Sequence, residues 1–130
     1  MPSTSRTMLA LGAILAGLAV VAGAFGAHGL EGRVTPVRLD AFKTAAQYQM
    51  YHALALLGIG LLTQRLTHRA LTWASWCFVG GVVVFSGSLY VLVLTDTAWL
   101  GAITPVGGTA MIAGWGFLVL GILRGRGAES

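Results

Sequence analysis

Four apolar runs, each close to the length of a bilayer, constrain this chain more than any other feature. They cover residues 8–27, 44–62, 71–94 and 99–123. A hydrocarbon core of about 30 Å calls for about 20 helical residues. Inside lipid every backbone N–H and C=O must find a partner within the chain, so runs of this length are helices; ~10-residue alternating barrel strands are not seen. The expected fold is an all-α membrane protein, a four-transmembrane-helix bundle with a short interfacial start to helix 2. It forms one integral membrane domain over residues 1–130, with only short tails and loops outside the bilayer. Composition agrees. The chain is 56% hydrophobic and 9% charged, where a soluble domain carries about a quarter charged residues. It could not cover its own surface with polar groups.

The first run has a rival reading as a cleaved signal, with Arg6 as a basic start and Ala22-Gly23-Ala24 as a cleavage-like site. Its apolar stretch exceeds the usual 7–15 residues of a signal core, so a retained helix is expected. The first loop, residues 28–43, is the longest. Thr35-Pro36 in it reads as an N-cap followed by proline at the first helical position, which starts helix 2 near Pro36. Trp73 and Trp76 at one end and Trp99 at the other suit interfacial aromatic belts.

With four spans, both tails and the second loop share one side, which holds five basic residues, Arg6, Arg65, Arg69, Arg124 and Arg126. The other side holds three, Arg33, Arg38 and Lys43. Basic residues accumulate on the cytoplasmic face, so both termini are expected in the cytoplasm and the chain in the plasma (inner) membrane. The same placement excludes a nucleic-acid partner, because these arginines sit at helix ends and form no stripe. Cys77 stands alone inside an apolar run and reads as a packing residue.

Small residues let membrane helices approach closely, which matters because lipid offers no hydrophobic drive between them. Gly12, Ala16, Ala19, Gly23 and Gly26 mark a seam on helix 1. Gly80 and Gly87 mark one on helix 3, opposite a bulky stripe of Phe78, Val82, Phe85, Leu89 and Leu92 that is expected to face lipid. Helix 4 has Gly107, Gly114 and Gly121 at heptad spacing and a second small row at Pro105, Thr109, Ala113 and Gly116. Two narrow faces on one helix imply neighbours on both sides, one of them in another subunit or a membrane-protein partner. Pro105, placed within helix 4, is expected to bend it.

Polar chemistry inside the runs concentrates on helix 2. At 3.6 residues per turn, Gln47, Tyr48, Tyr51 and His52 share one arc, with Gln49 at its edge, opposite Met50, Leu54, Leu57 and Leu61. This arc is expected to point into the bundle, towards Ser75, Ser86 and Ser88 of helix 3 and Thr104 and Thr109 of helix 4. An ionisable residue at membrane depth is a functional candidate, but a neutral histidine can also simply donate one hydrogen bond and accept another. His52 is read chiefly as such an interhelical tie, ahead of a proton or substrate site or a metal or haem ligand. His28 would sit about 12 Å away in depth, too far to share a ligand. None of the four runs contains Asp or Glu, which weakens a proton relay. No nucleophile triad, phosphate loop or zinc spacing occurs, so no catalytic residue, cofactor or metal is assigned. His28, Glu31 and Asp40 would be the only cluster open to an enzyme.

Four motifs in order are Gly23-Ala24-Phe25-Gly26-Ala27-His28-Gly29-Leu30, Tyr48-Gln49-Met50-Tyr51-His52-Ala53-Leu54-Ala55-Leu56-Leu57, Phe85-Ser86-Gly87-Ser88-Leu89-Tyr90 and Leu100-Gly101-Ala102-Ile103-Thr104-Pro105-Val106-Gly107-Gly108. Through them nearly the whole chain resembles the YgdD-type bacterial inner-membrane proteins, a family of unknown function with small eukaryotic transmembrane relatives. The resemblance implies about four helices in the inner membrane and no activity. The expectation is a non-enzymatic membrane protein that works through assembly with itself or with a membrane complex. The alternative is a small oligomeric transporter or channel using the polar arc of helix 2.

Overall fold

The computed structural model describes residues 3–127. Four long helices dominate: α1 Ser3–Phe25, α2 Pro36–Leu62, α3 Arg69–Thr95 and α4 Thr104–Arg124. α1 runs straight into a single wider turn, Gly26–Leu30, and a tighter 3-10 turn, Ala98–Ala102, precedes α4. Helix 2 begins where its cap and proline place it, with Thr35 Oγ1 accepting from the Arg38 backbone N–H at 3.2 Å. α3 ends at Asp96, whose left-handed φ of 55° turns the chain while its N–H returns to the Leu92 carbonyl. Short polar side chains such as Asp tolerate that conformation better than most.

Three stretches are long and apolar enough to cross a membrane, Thr4–Leu30, Arg69–Thr95 and Ala98–Arg124. α2 matches them in length but not in apolar character, because Arg38, Asp40, Lys43, Gln47, Gln49 and His52 dilute it. The fold is thus a helical membrane protein with three candidate spans and one further, more polar helix. That helix nevertheless lies inside the stack: α1 packs on α2, α2 on α3 and α3 on α4.

The two ends of the bundle differ. At one end Ser5 Oγ donates to the Gly60 carbonyl (2.6 Å) and accepts from Gln64 Nε2 (3.2 Å). At the same end a two-residue strand β1, Leu66–Thr67, pairs antiparallel with β2, Arg126–Gly127. The α1 start, the α2–α3 loop and the α4 end therefore sit together. At the other end Arg38 in the first turns of α2 donates to the Leu92 carbonyl (3.1 Å) and pairs with Asp96 (3.0 Å). A cation on the last carbonyls of α3 complements the negative end of its dipole.

Two sequence expectations are corrected. Pro105 occupies the first turn of α4, where its missing N–H has no partner to lose, so it starts the helix and does not bend it. The seams of helices 1 and 3 also shift. Phe78, Val82 and Leu92 are buried, while Gly80 and Gly87 have no neighbouring atom within 4 Å of an added Cβ. The bulky stripe of helix 3 is its core face, and Gly81, not Gly80 or Gly87, makes the close approach. On helix 1, Gly12 packs against Ala53 and Leu57, whereas Gly23 meets nothing within 4 Å. On helix 4, Gly107, Gly114 and Gly121 are buried against Phe85, Phe78 and Leu71.

The core has two parts. Met8, Leu56, Ile59, Leu71, Ala74 and Phe78 fill the end near the termini, and Leu30, Phe42, Leu92 and Val93 fill the other. Between them lies the polar layer.

Candidate functional site: the polar layer of helix 2

α2 aims a heptad row of side chains inward: Phe42, Ala45, Gln49, His52, Leu56 and Ile59, all buried. Residues three and four apart share a helical face, so this spacing builds one continuous stripe. Gln49 and His52 sit at its centre, each about 4% exposed. Gln49 Nε2 donates to the Leu15 carbonyl of α1 (2.8 Å), and its Oε1 accepts from Tyr90 Oη of α3 (2.7 Å). One amide thus ties three helices. Beside it, Ser86 Oγ of α3 donates to the Ala45 carbonyl (2.7 Å).

His52 faces α4. Trp115 Nε1 donates to His52 Nε2 (3.1 Å), and His52 Nδ1 lies 2.7 Å from the Tyr48 carbonyl. An indole can only donate. Nε2 must therefore accept, and the imidazole proton resides on Nδ1, where it is given to Tyr48. This geometry uses both ring nitrogens and fits a neutral imidazole. A proton added at Nε2 would set two donors against each other. Phe78 packs against the imidazole at 5.1 Å between ring centres, and Trp115 at 5.7 Å. A groove of roughly 340 Å³ runs beside this contact, lined by Tyr48, His52, Gly108, Met111, Ile112 and Trp115.

The four residues grouped on one arc by the sequence stay neighbours, with the Tyr48 ring 5.6 Å from Tyr51 and 6.3 Å from His52, but they do not face one side. His52 points inward, Tyr48 lies at the margin against Phe85 (5.0 Å), and Gln47 and Tyr51 point outward, bonded to each other at 2.6 Å. The arc straddles the boundary between the inside and the outside of the bundle. Gln49, placed at its edge, is the central residue. Tyr90 and Trp115, the two partners that complete the layer, were not singled out for this role. The heptad run 42-45-49-52-56-59, apolar but for Gln49 and His52, was the signal for the inward face. Of the serines and threonines proposed as partners of the arc, Ser86 reaches the helix 2 backbone at Ala45 and the others are used elsewhere. Ser88 and Thr104 bond each other at 2.6 Å, while Ser75 and Thr109 bond carbonyls of their own helices. His28, Glu31 and Asp40 are exposed. Among the described residues no group of three or more His, Cys, Asp or Glu side chains could hold a metal ion.

Residues 22–108 match the family model described as a protein of unknown function, DUF423. That segment spans all four sequence motifs. The chain belongs to the DUF423 family. Its relatives include a UPF0382 membrane protein of Staphylococcus epidermidis, 48% identical over 94% of this chain and 99% of the relative. Another, from Staphylococcus aureus, is 45% identical with the same coverage. The UPF0382 membrane protein YwdK of Bacillus subtilis is 46% identical over 92% of this chain and 98% of its own length. No solved structure matches. The relatives' names and the apolar helices make this a membrane protein, in a family with no stated activity, as the resemblance implied; the relatives named here do not bear the YgdD-type label. The matched segment contains Gln49, His52 and Tyr90 but ends before Trp115.

Proposed function

We propose that this chain crosses the plasma membrane four times with both termini in the cytoplasm, catalyses no reaction, and acts through assembly with itself or with a larger membrane complex. The observation that carries this reading is the closure of the interior. Gln49, His52, Ser75, Ser86 and Ser88 are the buried polar side chains of the helical core besides Ser5, and each has a hydrogen-bond partner within the chain. Among the described residues no buried side-chain donor or acceptor is left over for a passing solute. A closed polar layer holds helices together, and the chemistry left to the protein lies on its outer faces.

The fourth crossing is supported by packing. α2 bonds or packs against α1 and α3 from Arg38–Leu92 near one end to Ser5–Gly60 at the other, and meets α4 through His52 and Trp115. A helix packed between membrane-spanning neighbours shares their depth. The outer face of α4 supports assembly: Pro105, Thr109, Ala113 and Gly116 are all exposed, and an added Cβ on Gly116 would meet nothing within 4 Å. Native mass measurement after mild-detergent extraction tests the reading. A mass above the monomer, or a stoichiometric membrane partner, is expected. A strict monomer with no partner, combined with solute flux in proteoliposomes, would replace it by the second reading. That reading, a small transporter, draws its support from the groove beside His52.

A further inference from the structure

We infer that the outward face of α2, centred on Gln47 and Tyr51, is the contact surface for a second copy of this chain. The inference rests on the four-span reading and deepens it by naming the face and the partner. Gln47 and Tyr51 flank Gln49, the midpoint of the 27-residue α2. At 1.5 Å per residue, Gln47 lies about 16 Å from one helix end and about 22 Å from the other. With about 30 Å of hydrocarbon centred on a helix about 40 Å long, both side chains open into the acyl chains. Both are exposed, and Tyr51 is 49% so.

Their bonding leaves a specific remainder. Gln47 Nε2 donates to Tyr51 Oη at 2.6 Å. A primary amide has two N–H donors and a carbonyl acceptor. One N–H is used, so the other N–H and the carbonyl face out, together with the hydroxyl proton of Tyr51. Polar groups without partners in hydrocarbon cost several kcal/mol each. Water does not reach this depth, and a lipid tail offers neither donor nor acceptor. An outward amide is self-complementary: two copies related by a two-fold axis can exchange N–H···O=C bonds through their Gln47 side chains. That chemistry fits a second copy, which brings the same amide to a two-fold axis with its donors and acceptor already complementary. Close approach is allowed, because beside Gln47 and Tyr51 a cleft of roughly 330 Å³ has Ala19, Gly23 and Ala46 for its floor. Lys43, one turn nearer the membrane surface, also borders the cleft and can extend its ammonium to the headgroups.

The test uses the full chain in native membranes with Cys77→Ala as background. Gln47→Cys should give a covalent dimer on oxidation, and Ala113→Cys on α4 should not. In the chain with its native Gln47, Gln47→Leu should weaken self-association about tenfold, the scale of two hydrogen bonds in a membrane. Its thermal unfolding should stay unchanged, since the Gln47 side chain bonds within its own helix, to Tyr51, and Gln47→Asn should restore part of the association. Crosslinking at Ala113 but not at Gln47 would overturn this inference and leave assembly standing. No crosslink at either site, with a monomeric native mass, would overturn both. Labelling of Gln47→Cys by a water-soluble maleimide would show water at this face and remove the membrane-depth premise.

Discussion

The α1–α2 and α3–α4 hairpins are both closed by glycine, but in different ways. Between α3 and α4 the backbones themselves touch. A Cβ on Gly107 would run into the Phe85 amide and stand 2.8 Å from the Gly81 carbonyl, while one on Gly81 would stand 3.0 Å from the Gly107 carbonyl. Between α1 and α2 the approach is as close at Gly12, with Ala53 O at 2.8 Å from an added Cβ, and nearly so at Gly60, where Leu9 N would stand at 3.2 Å. Elsewhere that pair is held by directional bonds, Ser5 to Gly60 and Gln49 to Leu15. The α3–α4 hairpin relies mainly on dispersion at short range, with one hydroxyl pair, Ser88 and Thr104, at its loop end, and the α1–α2 hairpin adds hydrogen bonds to backbone carbonyls along its length. In lipid both routes are open, because neither competes with water. The consequence is a rigid, shape-dependent pair beside one whose register is fixed by polar atoms, with α2 carrying the polar atoms for both neighbours.

The strongest way to break this contrast is Gly107→Leu. The clashing atoms are backbone and cannot swing aside, so the loss should reach at least about 3 kcal/mol, the upper end of overpacking penalties. Thermal unfolding in detergent should show the α3–α4 pair lost; a stable, folded variant would mean that the glycine contact is not what holds it. Next comes Gln49→Leu, which removes two interhelical bonds and strands the Tyr90 hydroxyl. A loss of about 1–2 kcal/mol is expected, and the double change Gln49→Leu with Tyr90→Phe should recover part of it. A smaller effect, near 0.6 kcal/mol, is expected for Trp115→Phe, which removes the donor to His52 while keeping an aromatic ring. Gly80→Ala and Gly87→Ala should be the mildest. An added methyl meets nothing at either site, and alanine favours helix over glycine, so stability should hold or rise by up to about 1 kcal/mol. A clear loss at either position would restore the seam read from sequence.

How much of this was legible depends on what repeats with the helix. Element positions were, because apolar length and the Thr35-Pro36 cap act locally. The Gly107-Gly114-Gly121 face was legible too, as a strict heptad. The other faces share that spacing: Ser5, Met8, Gly12 and Ala19 on α1 with Gly26 in the turn that follows, and Phe42, Ala45, Gln49, His52, Leu56 and Ile59 on α2. Grouping residues by kind, small with small and polar with polar, obscured it. Gly23, Gly80 and Gly87 are small without being buried, and Gln47 and Tyr51 are polar without facing inward. In water a polar side chain reports the outside, whereas in a membrane polarity alone does not tell inside from outside. The partners Tyr90 and Trp115 depend on how helices far apart in sequence pack together, which no local pattern encodes.

The central claim is that α2, the least apolar of the four long helices, crosses the membrane as the tie between the others. The most direct measurement is sidedness across it. With Cys77→Ala as background, Gly32→Cys before α2 and Arg65→Cys after it are labelled with a membrane-impermeant maleimide in intact cells and again after lysis. Both native residues are exposed. Gly32→Cys should label in intact cells and Arg65→Cys only after lysis, which places the two ends of α2 on opposite faces. Labelling of both positions from the same face would show that α2 does not cross and would contradict the account.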